Sequence, residues 1–220
     1  MPGIDPRLAS ALSAQLRSRR ALLEAGATHV GWKLGMGDRE AIGTGPVIGH
    51  LTSATELQPG ATYRPDRVAA LHADAEVALA LGCDVEAGAD RETAQAAIAG
   101  YGAALELVDL GPTPGGAESI VAGNVFHRAF ALGRISRSWP DGPPLGRLVV
   151  GGQPRACARA ADDYAGLVRS VAELLGAMGE RLRAGDRIIT GSIVQVAVER
   201  GDEVVADVGG LGRVSLTIAP

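Results

Sequence analysis

Lysine is nearly absent from this chain. Of its 21 lysine and arginine residues, Lys33 is the one lysine. Aromatic residues make up only 3%, so the core has to be built from Val, Leu, Ile and Ala. The two cysteines, Cys83 and Cys157, stand far apart. That separation excludes a thiolate metal site or a redox pair by spacing, and free thiols point to a cytoplasmic protein. No basic run occurs and the net charge is −4, which argues against nucleic acid as the main partner. No apolar stretch approaches the length of a membrane span, and the amino terminus has no signal-peptide core, so neither a membrane nor export is expected.

What remains is the composition of a globular protein, 46% apolar and 21% charged over 220 residues. That length suits one domain with a sizeable core. We read 1–220 as a single catalytic domain, with a helical segment over 1–28 and a β-rich core over 29–220. Asp5-Pro6 as a start, the stripe Leu8, Leu12, Leu16, Leu23 and the stop Gly26 predict a helix over 7–25. A strand is expected at 29–35, and irregular chain with brief strands over 36–66. Residues 68–81 suit either helix or strand. Helices are expected at 91–103 and 157–178, a buried strand at 104–110 and a loop at 111–116. Four strands are expected near 186–190, 193–199, 203–208 and 214–218, the last two joined at Gly209-Gly210-Leu211-Gly212.

Lys33 lies in Gly31-Trp32-Lys33-Leu34-Gly35, without a charged neighbour. Arginine stays protonated at any usable pH, whereas a partly buried lysine can give and take a proton. A strong bias toward Arg would also leave a lone Lys by chance; the setting of Lys33, more than its rarity, marks it as a candidate. Asp74-Ala75-Glu76 is an acid-x-acid pair in an apolar stretch. On a strand both carboxylates, with His72 beside them, share a face; on a helix they diverge. Glu106 sits among aliphatics in Ala104-Leu105-Glu106-Leu107-Val108. A buried carboxylate there needs a cation. Together the three would form a hard oxygen site for Mg²⁺ or Mn²⁺. The plainer alternative is an exposed edge strand carrying Asp74 and Glu76, with Glu106 paired to an arginine.

Four segments occur in order: Gly31-Trp32-Lys33-Leu34-Gly35-Met36, Asp74-Ala75-Glu76-Val77-Ala78, Ala104 to Asp109, and Leu182-Arg183-Ala184-Gly185-Asp186 running to Thr190-Gly191-Ser192. With the closing Gly201-Asp202 to Gly212, they resemble the 2-keto-4-pentenoate hydratase and 2-oxo-hexenedioate decarboxylase branch of the fumarylacetoacetate hydrolase superfamily. The resemblance covers about residues 10–218. It implies an α+β fold, a mixed β-sandwich roll with flanking helices, a divalent metal, and 2-oxo acid or dienol substrates. The metal ligands it implies are Asp74, Glu76 and Glu106, with Asp74 where members usually carry Glu. Lys33 and Asn124 fall on catalytic positions, and Ser192 on one that helps hold the substrate carboxylate. The chain departs from the family pattern at Val125-Phe126-His127-Arg128, where small residues are usual. Two placements are open for His127 and Arg128: facing the pocket to read a second acidic group, or lying at the surface or an interface.

The implied activity is a metal-dependent lyase of aromatic catabolism. Hydration of a 2-hydroxydienoate or 2-oxo-enoate to a 4-hydroxy-2-oxo acid ranks first. Decarboxylation of a 2-oxo-enedioate ranks second, beside C–C hydrolysis of an acylpyruvate. A non-catalytic binding or assembly subunit of the same fold is a further alternative. The resemblance also implies a homo-oligomer, with a complex with a pathway enzyme as a further possibility.

Overall fold

The computed structural model describes residues 6–35, 46–113 and 115–220. Helix α1 (Pro6–Glu24) starts on a proline, whose fixed φ suits the first helical turn. It buries Leu12 and Leu16. It ends at Gly26, with φ 101°, where the amides of Gly26 and Ala27 return to the carbonyls of Leu23 and Leu22. Strand β1 (His29–Gly35) follows, and then β2 (Val47–Thr52), antiparallel to it. The intervening stretch 36–45, and Met36 of the first motif with it, lies outside the described residues.

Two sheets make up the body. Strands β3 (Thr62–Tyr63), β7 (Leu145–Val150), β8 (Gln153–Arg159), β11 (Glu203–Val208) and β12 (Gly212–Ile218) form one, in the order β3-β12-β11-β7-β8. The other runs β2-β1-β9-β4-β5-β6, with β4 (Leu71–Leu81), β5 (Ile98–Asp109), β6 (His127–Leu132) and β9 (Arg187–Ile189); β10 (Val194–Ala197) also pairs with β4. This second sheet curls. The chain just after β2 reaches β6, where the Leu57 amide donates to the Phe130 carbonyl and the Phe130 amide to that of Thr55. Helices α2 (Arg91–Ala97), α3 (Gly116–Ala122) and α4 (Tyr164–Gly176) flank the sheets. This is the α+β arrangement expected, two sheets with flanking helices. No described helix is long and apolar enough to cross a membrane.

Several local expectations are corrected. The stretch 68–81, open between helix and strand, holds strand β4 at Leu71–Leu81. The helix expected over 91–103 stops at Ala97, and Ile98–Asp109 is a twelve-residue strand. Alanine there favours helix locally, but β5 pairs along nearly the whole of β4 and its glycines meet another backbone. A side chain on Gly102 would come within 2.9 Å of the Arg134 carbonyl oxygen. Tertiary pairing overrides propensity. The helix expected from 157 begins only after Asp163, whose carboxylate accepts from the Gly166 amide; residues 157–159 belong to β8. Strands β6 and β7 and helix α3 had no counterpart in the sequence reading.

Alternation along the curled sheet sorts its side chains. One face joins the large core around Trp32, Val77, Leu105 and Leu148. The other carries a small separate apolar cluster of Leu51, Ala78, Ala104, Phe130 and Ile189, all fully buried. Asp74, Glu76 and Glu106 share this second face, in step with Ala78 and Ala104.

Candidate active site

Strand register builds the site. Asp74 on β4 stands directly opposite Glu106 on β5 in the antiparallel ladder, and Glu76 lies one alternation further along. One oxygen from each of the three carboxylates lies within 4.8 Å of the others. All three are buried, 4%, 2% and 1% exposed respectively. The exposed-edge alternative is thereby ruled out.

Lys33 reaches the same place from β1. Its Nζ donates to Glu106 Oε1 at 2.5 Å and to the Val125 carbonyl at 3.0 Å. Glycine 49, across from Lys33 in the ladder, makes room for it. A Cβ there would sit 2.7 Å from Lys33 Cγ and 2.8 Å from Asn124 Oδ1. Between β9 and β10 the chain arches over the pair of acids. Gly191, at φ 94°, turns its amide to Glu76 Oε2 at 2.7 Å.

The electrostatics follow from this packing. Burial, then the charge of Glu106, pushes the Asp74 carboxyl up to about 7, with the side chains of Gln195 and Ser192 and the charge of Lys33 working the other way. Burial and the charges of Glu106 and Asp74 push Glu76 well above the usual carboxylate range. Burial alone would raise Glu106 too, but the Lys33 charge and His127 outweigh it and hold it low. Burial lowers His127, against the pull of Glu106.

Ionised, the three carboxylates face one bonded ammonium among the described residues, which leaves two negative charges in this buried cluster. Such an excess is not sustained without a cation. Asp74 Oδ1 is buried without a hydrogen-bond partner among the described residues. An orphaned buried acceptor, hard oxygen donors and a twofold charge deficit all fit a divalent cation of the Mg²⁺ or Mn²⁺ kind.

The remaining candidates sort clearly. Asn124 lies beside Lys33, but its amide is committed at both ends to β2: Oδ1 accepts from the His50 amide and Nδ2 donates to the His50 carbonyl. In this structure it is a clamp between the turn and β2. It opens a run of three left-handed residues, Asn124, Val125 and Phe126, at φ 64°, 54° and 63°. Each such non-glycine residue costs about 1–2 kcal/mol. The turn presents the Val125 carbonyl to Lys33. His127 fits neither placement left open for it. It is buried, and the acid it meets is the protein's own Glu106, with Nδ1 at 2.6 Å from Oε1. Arg128 points elsewhere and pairs with Asp109 at 3.2 Å, partly exposed. Ser192 is exposed at the rim near Asp74. Two contributors escaped the sequence reading. Gln195 stands opposite Asp74 in the β10–β4 ladder, and its place between Val194 and Val196 on a strand was the available signal. Thr55, bonded to His127 Nε2 at 2.9 Å, gave none.

Residues 32–219 match the profile of the fumarylacetoacetate (FAA) hydrolase C-terminal family. The chain belongs to this family. No curated protein sequence matches it. Among solved structures, the FAA hydrolase family chain is similar to 4-oxalocrotonate decarboxylase from Pseudomonas putida G7 complexed with magnesium and adipate. The identity is 23% over 96% of this chain and 86% of that one, with a TM-score of 0.85. It is also similar to fumarylpyruvate hydrolase from Pseudomonas aeruginosa in complex with Mn²⁺ and pyruvate, at 21% identity over 87% and 89%, TM-score 0.63. A third is 2-hydroxyhepta-2,4-diene-1,7-dioate isomerase from Mycobacterium marinum, at 20% identity over 87% and 74%, TM-score 0.63. At these identities the likeness carries the FAA hydrolase fold.

Proposed function

We propose that this chain is a divalent-metal-dependent enzyme that moves a proton on the enolate of a 2-oxo acid. The observation that carries the reading is the buried cluster itself: three carboxylates that, among the described residues, are short of two positive charges, with a lysine amine hydrogen-bonded to one of them. Asp74, Glu76 and Glu106 would hold the cation. When bound, it would supply Lewis-acid stabilisation of charge developing on the substrate oxygens.

The chain's own residues do the rest. An ammonium has three N–H donors. Among the described residues Lys33 spends two, on Glu106 and Val125, which leaves one to be given to a substrate carbon or oxygen. The two fixed bonds orient the amine. The Gly191-Ser192 arch offers a hydroxyl at the rim for a substrate carboxylate. The apolar cluster beneath keeps bulk water from one side, which strengthens each charge interaction in the site.

Decarboxylation and hydration both need this arrangement. In the first, the bond to a carboxylate breaks, CO₂ leaves, its electron pair enters the dienolate, and Lys33 protonates carbon. In the second, water adds to the conjugated carbon, Lys33 protonates its neighbour, and the proton the water loses returns to Lys33. We place decarboxylation of a 2-oxo-enedioate first, supported by likeness to a decarboxylase across nearly the whole chain. Hydration of a 2-hydroxydienoate is the second reading, supported by the sequence motifs. A screen of 2-oxo-enedioates and 2-hydroxydienoates with Mg²⁺ and Mn²⁺, followed by ultraviolet absorbance and CO₂ release, tests both. CO₂ release dependent on metal and on Lys33 supports the first. Loss of dienoate absorbance without CO₂ supports the second. Failure to bind metal would leave an assembly subunit of the same fold.

A further inference from the structure

Resting on the metal-site reading above, we propose that His127, backed by Thr55, is the positioning residue for Glu106. It fixes which carboxylate oxygen is turned away from the cation site and so sets metal affinity. His127 Nδ1 lies 2.6 Å from Glu106 Oε1, the same oxygen that takes the Lys33 ammonium at 2.5 Å. An ionised carboxylate offers lone pairs only, so Nδ1 carries the proton in this contact. Two donors converging on Oε1 leave Oε2 to turn toward Asp74 and Glu76.

Lysine alone would hold Glu106 poorly, because its stem has four rotatable carbons. The imidazole is a rigid plate. It packs beside Phe130, ring centres 5.8 Å apart, and is 2% exposed in its side chain. Its far nitrogen is fixed by the Thr55 hydroxyl at 2.9 Å. Thr55 arrives on the strap after β2, whose backbone bonds to Phe130 close the curled sheet. The near side is fixed separately. The left-handed turn from Asn124 to Phe126 delivers His127, and Asn124 ties that turn to His50. The ring is therefore held from the strap and from the turn, neither of which carries a metal ligand. Groups that orient a ligand in this way change metal affinity by about 10–100-fold when removed.

The test is Mn²⁺ titration of the full-length, metal-free protein at fixed pH, read by calorimetry and by the electron paramagnetic resonance of free Mn²⁺. His127→Leu should weaken Mn²⁺ binding on the order of 10–100-fold. His127→Asn places an amide N–H close to where Nδ1 lay, and should recover most of that loss. His127→Gln, whose donor sits where Nε2 lay, should not. Thr55→Val leaves Glu106 and the ring in place and should weaken binding in the same direction by a smaller factor. Rescue by Asn but not by Gln is the pattern that packing alone cannot produce, and circular dichroism of each variant confirms that it folds. Equal affinity in wild type and His127→Leu would overturn the inference, as would equal losses in the Asn and Leu variants. Should His127→Leu not fold, an unchanged affinity in Thr55→Val would overturn it instead. A wild-type protein that takes up no Mn²⁺ would bring down the metal reading and this inference with it.

Discussion

Replacing Asp74 with Asn should stabilise the metal-free protein at neutral to alkaline pH and destroy its response to metal. The folded protein holds Asp74 at about 7 against an ordinary value of 3.8. Because the folded value is raised, the carboxyl is easier to bury protonated. Its contribution is fully present below pH 4 and is lost as pH rises through about 7. Above that, the cost of ionising it in place is about 1.36 kcal/mol for each unit of displacement, or roughly 4 kcal/mol. Asp74 is 4% exposed, so solvent screening removes little of this. Asparagine never ionises and escapes the cost. At pH 8 in chelator, Asp74→Asn should therefore melt above wild type, and the gap should close toward pH 4. With about 2–4 °C per kcal/mol for a chain of this size, the gap could reach roughly 8–16 °C. Adding Mg²⁺ should close most of the gap. Wild type gains about 2.7 kcal/mol at a hundredfold excess over its dissociation constant, and the variant, short of a ligand, gains little. Scanning calorimetry at pH 4.5 and 8, with chelator or Mg²⁺, reads all four conditions. A metal-free variant less stable than wild type at both pH values, or an equal Mg²⁺ response in the two proteins, would refute the reasoning.

Lys33→Arg keeps the charge but fixes the proton, so it should leave Mg²⁺ binding nearly intact and cut turnover on a confirmed substrate by about 10²–10⁴; comparable activity would return Lys33 to a purely electrostatic role. Lys33→Met should lose turnover similarly and also destabilise the fold, by about 3–5 kcal/mol in urea unfolding, because Glu106 loses its main buried partner. Gly49→Ala should damage the site without touching a charged group. Its methyl meets both Lys33 and the Asn124 clamp, so both turnover and thermal stability should fall. Sedimentation at micromolar protein should show at least a homodimer of closed symmetry.

The three carboxylates and Lys33 were legible because each breaks a local rule. A charged residue inside a run of Ala, Val and Leu has few explanations, and β4 and β5 then bring Asp74 and Glu106 together by register. The positions that support them were less visible. Thr55 is an ordinary polar residue in a stretch rich in threonine, and it matters only because the strap after β2 meets β6. Asn124 was marked by its motif, yet the use of both ends of its amide on His50 depends on a left-handed turn that Val125 and Phe126 do not advertise. The helix expected across 91–103 failed for a related reason: Ala97 and Ala103 read alike in sequence, and only the partner strand distinguishes them.

The small apolar cluster of Leu51, Ala78, Ala104, Phe130 and Ile189 gives the site a chirality of delivery. It closes one side of the chamber with groups that carry no exchangeable proton. Lys33 stands on β1, with its amine tethered at two points, so a planar dienolate would meet a proton from one direction only. Solvent deuterium should then enter the product on a single face, and the new stereocentre would record where β1 lies relative to the acids of β4 and β5.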